Sequence, residues 1–157
     1  MKISLVLVSF LLATQAWAAD YPTSPDPKLT PGSLCDSPDT HRYPEQIAYC
    51  NRSVDSGTKA AIIKTYDEKL GYRVGEMSRK DFKIDHYIPL CMGGSNHVTN
   101  LWPQHVSISQ QTDMLEMYSC QKMSEGKLRQ AEAVDIMKRA KNDLKQAQAL
   151  LHYVQGL

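Results

Sequence analysis

Residues 83–105 read KIDHYIPLCMGGSNHVTNLWPQH, and the fold turns on how this stretch is read. A strand from Ile84, the Gly93-Gly94 turn region and a segment returning to Trp102 describe a β-hairpin with a long loop. Trp102-Pro103 closes it, because the residue before a proline is pushed out of helical geometry. Asp85, His86 and Asn100 all stand in this hairpin, so the chemistry of the chain is sought there.

Beyond Pro103, Met114, Leu115, Tyr118 and Met123 predict a helix from about Ser107 to Met123, ended by Gly126. A second helical region runs from Lys127 to about Val154, with Leu128, Ala131, Val134, Met137, Leu144 and Leu151 on one stripe and a break near Asn142. These stripes read as packing surfaces. Ahead of the hairpin, Tyr72 and Val74, then Phe82 and Ile84, alternate like short strands. A helix from Ser56–Thr58 to Leu70 carries Ile62, Ile63 and Tyr66 inward and stops at Gly71. Residues 19–44 hold Pro22, Pro25, Pro27, Pro31 and Pro38 and read as an extended segment, leaving 45–157 as one domain.

Residues 1–18 have the form of an export signal: Lys2, an apolar run from Ile3 to Ala13, and Ala16-Trp17-Ala18 at the cleavage position. The run is too short to span a bilayer, so a product secreted or periplasmic, with no membrane attachment after cleavage, is expected. The mature chain then has 17 side chains of each sign, since Lys2 is lost from 18 basic residues against 17 acidic ones. A neutral total draws in no polyanion by itself, so any such site depends on local clustering. In an oxidising compartment the four cysteines favour disulfides over a metal centre, and no C-x-x-C pair is present. Of three pairings, the preferred one joins Cys35 to Cys50 and Cys91 to Cys120, each loop contributing roughly 3 kcal/mol in the chain-entropy account.

An aspartate beside a histidine divides labour: the carboxylate is a hard ligand for a divalent ion, and the imidazole takes a proton near neutral pH. Neighbours on a strand point to opposite faces, so the two share a site only if the chain twists or leaves the ladder there. Asn100, returned across from His86, is placed to hold the ring through its amide.

The run D-H-x-x-P-L-x-x-G-G-S-N followed by N-L-W-P-Q resembles the HNH endonucleases of the ββα-metal, or His-metal finger, group, and among them the small exported members. The resemblance spans Lys83 to His105 and extends loosely through Thr112 to Glu116. It implies an α+β fold with a ββα-metal hairpin-plus-helix core and flanking helices. It further implies that Asp85 is a metal ligand, His86 the general base and Asn100 the residue that positions the base. The third motif position departs from the pattern, with Ile108, Ser109, Gln110 and Gln111 where a histidine or asparagine is expected. His105 is the first candidate for that ligand, with Gln111 or Asp113 as substitutes. The implied metal is Mg²⁺, with Mn²⁺, Zn²⁺ or Ni²⁺ as alternatives where imidazole takes part.

The implied activity is hydrolysis of phosphodiester bonds in DNA, and in RNA as a second substrate, by a monomer. Arg73, Arg79, Lys80 and Lys83 precede the motif and are candidates for phosphate contacts, which carry no sequence information. The sequence reveals no inhibitor protein. A rival reading from another class is a non-catalytic exported binding module on the same scaffold.

Overall fold

The computed structural model describes residues 19–157, and the expected leader, residues 1–18, lies outside them. The described residues form an α+β fold. In chain order come β1 (Thr40–Arg42), β2 (Ile47–Tyr49), α1 (Ser56–Leu70), β3 (Phe82–His86), β4 (Leu101–His105), α2 (Val106–Ser124), α3 (Gln130–Asn142) and α4 (Ala147–Gln155). β1 pairs with β2 and β3 with β4, giving two separate antiparallel ribbons.

Local chemistry sets these boundaries. Asp55 caps α1 by accepting from the Thr58 amide, and Gly71, at φ 76°, ends it in the left-handed conformation that side chains avoid. The strand expected at Tyr72–Val74 does not form. The Asp67 carboxylate instead accepts from the amides of Val74 and Gly75 and winds Val74–Glu76 into a 3₁₀ turn. The long C-terminal helical region breaks after Asn142, as its pattern predicts, and resumes at Ala147.

The hairpin β3–β4 lies between two layers of core. Ile84, Leu101 and Trp102 belong to a cluster with Ile62, Ile63 and Tyr66 of α1. Ile88 and Met92, in the loop, belong to a second cluster with Leu115, Ile136, Met137, Leu150 and Val154 of the C-terminal helices. The hairpin is thus the seam of the molecule. Both preferred disulfides are present: Cys91–Cys120 ties the hairpin loop to α2, and Cys35–Cys50 ties the extended segment to the strand end before α1.

Residues 19–44 are extended as expected, but they are built into the domain. Thr30 is fully buried, with its hydroxyl on the Tyr66 hydroxyl and the Leu101 carbonyl. The Cys35 amide donates to the Gly93 carbonyl and the Ser95 amide to the Ser33 carbonyl, so the segment runs beside the hairpin loop. The ribbon β1–β2 also straddles the boundary drawn at residue 44. No helix among the described residues is long and apolar enough to cross a membrane.

Candidate functional site

The register of the hairpin decides what Asp85 and His86 can share. Asp85 stands opposite Trp102 and His86 opposite Leu101, both still in the ladder, so their side chains leave on opposite faces. The condition for one joint site, that the chain leaves the ladder at these two residues, is not met. Two half-sites result.

On the first face, His86 is 3% exposed and both ring nitrogens are occupied. Nε2 lies 3.1 Å from Asn96 Oδ1, and Nδ1 lies 3.3 Å from Nη1 of Arg52. The tautomer follows from these partners. The Asn96 amide nitrogen donates to the Asn51 carbonyl and its oxygen accepts from the Ser53 amide, so the oxygen is the atom facing the ring. Nε2 therefore carries the proton. Arg52 has only donors, so Nδ1 must be the acceptor, and both partners require the same neutral form. Burial lowers the His86 pKa below 6.5, with the Arg52 charge adding to the shift against the Asn96 hydrogen bond. Arg52 is exposed, and its Nη2 is anchored 2.8 Å from the Ile84 carbonyl. A groove of about 490 Å³, lined by Ser33, Asp36, Cys50, Ser95, Asn96 and His97, opens beside Asn96.

On the second face, Asp85 is held by ammonium groups. Lys141 Nζ is 3.3 Å from Oδ2, and Lys83 Nζ is 3.9 Å from Oδ1. Burial pushes the Asp85 carboxyl up, but Lys141 and Lys83 outweigh it and hold it below the usual carboxylate value. Lys141, fully buried near the end of α3, also donates to the His86 carbonyl at 2.6 Å and lies 4.0 Å from Glu116 Oε2. Glu116 is pushed up by burial, with Asp85 adding to the shift against Lys141. Asp113 closes the cluster through Lys83, at 3.4 Å.

Asn100 is not on the imidazole. It is fully buried, its Oδ1 accepts from the Ile88 amide, and its Nδ2 donates to the carbonyls of Ile88 and Ser95, each at 2.9 Å. It clamps the loop that presents Asn96, and Asn96 holds the ring. Gly94 is packed against the same clamp, where a Cβ would overlap the Ile88 carbonyl.

His105 is not brought to Asp85. It stands at the other end of the ribbon, opposite Phe82, and stacks on Tyr21 with ring centroids 3.9 Å apart. Its Nδ1 caps α2 by accepting from the Ser107 amide, so Nε2 carries the proton and no lone pair is free for a metal. Gln111 binds back to the Ser107 carbonyl within α2. Of the basic residues singled out, Lys83 alone lies beside Asp85. Arg73 pairs with Glu76 on the 3₁₀ turn, and Arg79 covers the Phe82 ring, three or more residues along the strand from the half-sites. The residues that complete the two half-sites, Arg52, Asn96, Glu116 and Lys141, were not expected from the sequence.

No protein-family model, curated protein or solved structure matches the chain.

Proposed function

We propose that this chain is an exported hydrolase of phosphodiester bonds in nucleic acid, acting on DNA and on RNA as a second substrate with little sequence preference, and that His86 is its general base. The observation supporting the reading is the neutral imidazole whose Nδ1 lone pair faces an exposed guanidinium. A proton acceptor beside an anion-binding group is the minimum that hydrolysis of a charged ester needs. The resemblance of residues 83–105 to HNH endonucleases, with hairpin β3–β4 running directly into α2, points the same way.

A guanidinium binds a phosphodiester oxygen pair in preference to a neutral ring nitrogen. Substrate therefore draws Arg52 from Nδ1 onto phosphate and opens that lone pair to a water molecule. The water gives its proton to Nδ1 as its oxygen bonds to phosphorus. The bond from phosphorus to the sugar oxygen breaks, and that oxygen takes a proton from solvent. Arg52 meets the charge that develops on the non-bridging oxygens. Asn96 keeps the ring in the tautomer that makes Nδ1 basic.

The resemblance implies a divalent ion on Asp85, but the donors do not fit one as they stand. An ion bound to Oδ2 would meet the buried ammonium of Lys141, itself 3.3 Å from that oxygen. No step above passes through a metal.

The test is nicking of supercoiled plasmid, and cleavage of single-stranded RNA, by the purified oxidised protein. General-base assistance is worth about 10² to 10⁴-fold, so His86→Ala is expected to retain its circular dichroism spectrum and lose at least about 100-fold in rate. A folded His86→Ala protein that cuts at the wild-type rate removes His86 from the role. The low exposure of His86 favours one second reading, a non-catalytic nucleic-acid binding module. That reading predicts salt-sensitive binding lost in Arg52→Ala, with no cleavage by the wild type.

A further inference from the structure

Lys141 is the most deeply buried charge in the described chain. Its ammonium sits among three oxygens supplied by β3 and α2: the His86 carbonyl at 2.6 Å, Asp85 Oδ2 at 3.3 Å and Glu116 Oε2 at 4.0 Å. Lys83 and Asp113 flank this group, with one charge of each sign. A lysine with no exposed surface is tolerated only where its charge is met; here two of its donors are hydrogen-bonded, to Asp85 and the His86 carbonyl, and Glu116 brings a second carboxyl to within 4.0 Å. A backbone carbonyl and two carboxylates are also the donor set that hard divalent cations take. The ammonium has the charge, the position and the ligand type of a bound cation, delivered covalently from α3.

We infer that Lys141 is the resident cation of Asp85: its ammonium takes the place a divalent ion would have, makes the site independent of such ions, and positions His86 by gripping its carbonyl. The inference rests on the oxygens around Lys141 and holds whether or not the chain cleaves phosphodiesters. It predicts a change of ligand when the ammonium is removed. Without it, Asp85 keeps only the more distant Lys83 and faces Glu116 across the vacated position, where a free divalent ion can stand.

The experiment compares the wild type with Asp85→Asn, Lys141→Met, Lys141→Arg and Lys141→Met/Asp85→Asn, using thermal unfolding in a chelator and in millimolar Mn²⁺, and counting bound Mn²⁺ from the loss of its free-ion electron paramagnetic resonance signal. The wild type is expected to bind no Mn²⁺ and to melt at one temperature with and without it. Lys141→Met is expected to melt lower in chelator, to bind about one Mn²⁺ per chain, and to regain about 5 °C with it, since a ligand for the folded state alone raises stability by mass action. The double variant loses that response, and Lys141→Arg, which keeps the charge, does not acquire it. A purely structural lysine would be destabilised by substitution without gaining a metal response, and that outcome overturns the inference. Stoichiometric Mn²⁺ binding by the wild type, abolished in Asp85→Asn, overturns it as well. If Lys141→Met fails to fold in chelator, folding restored by Mn²⁺ supports the inference, and failure to fold in Mn²⁺ as well overturns it.

Discussion

Replacing Asn100 by aspartate keeps the shape of the side chain and removes its two donors. Asn100 Nδ2 serves the carbonyls of Ile88 and Ser95, on residues 3% and 6% exposed, while Oδ1 serves the Ile88 amide. In Asn100→Asp the amide keeps its acceptor, but both carbonyls lose their partner and face a carboxylate oxygen. A buried polar group left unsatisfied costs about 1–3 kcal/mol, so the pair costs about 3–4 kcal/mol at the middle of that range. At about 3 °C per kcal/mol for a chain of this size, the melting temperature falls on the order of 10 °C. No cavity is created, so the loss reports the missing donors together with the cost of placing a carboxyl where they stood. Thermal unfolding followed by circular dichroism measures it, with nicking activity assayed well below the transition. If Asn100 instead positioned the imidazole directly, Asn100→Asp would melt close to wild type and lose turnover. A shift under about 2 °C with strongly reduced activity would therefore refute the loop-clamp account.

Four further outcomes concern Arg52, His86 and Gln104. Arg52 is exposed and makes single contacts to His86 and the Ile84 carbonyl, so Arg52→Ala should leave the melting temperature within about 2 °C of wild type, as surface changes do, and reduce nucleic-acid affinity and its salt dependence together; unchanged affinity would exclude Arg52 from phosphate binding. Because burial holds the folded His86 pKa below its ordinary 6.5, the acid limb of the rate profile should lie below 6.5 and be absent in His86→Ala. The same shift favours the neutral ring on folding, so its contribution to stability is complete above pH 6.5 and is lost as pH falls toward the lowered folded value; a wild type whose His86-dependent stability rises on acidification contradicts this sign. Gln104 is fully buried with neither amide atom hydrogen-bonded, so Gln104→Met should raise stability by about 1–2 kcal/mol, read from chemical denaturation, and a destabilised variant would reveal an amide role outside the contacts described.

The elements with strong local signals were legible in the sequence. Asp55 and Gly71 bracket α1 near the limits expected of it, and the break after Asn142 falls where the apolar pattern falters. Both disulfides also join the cysteines that sequence proximity pairs. Three features escaped. Alternation at Tyr72 and Val74 reads as strand, but the Asp67 carboxylate, seven residues away from Val74, wins those amides for a 3₁₀ turn. The spacing from His86 to Asn100 is right for a hairpin partner, yet it does not say whether the amide meets a ring or a backbone. The half-sites themselves depend on contacts 34 residues apart for Arg52 and 56 apart for Lys141, which no local pattern encodes. One signal was present for Lys141. It falls one turn beyond Met137 on the face that buries Ala133, Ile136 and Ala140, and a lysine on a core stripe calls for a buried counter-ion.

Cys50 lies two residues before Arg52, and its bridge to Cys35 fastens that strand end to the segment running beside the loop that carries Asn96. The backbone that leads to Arg52 is therefore anchored by a covalent bond that forms only under oxidising conditions, while the guanidinium itself rests on the Ile84 carbonyl. A reduced chain loses the covalent tie near Arg52 and keeps only hydrogen bonds to place it, from Nη2 to the Ile84 carbonyl and between Asn96 and the backbone of Asn51 and Ser53. Oxidation thus stiffens the one approach from which Arg52 reaches His86, and the firmness of that half-site is tied to the redox state of the chain's surroundings.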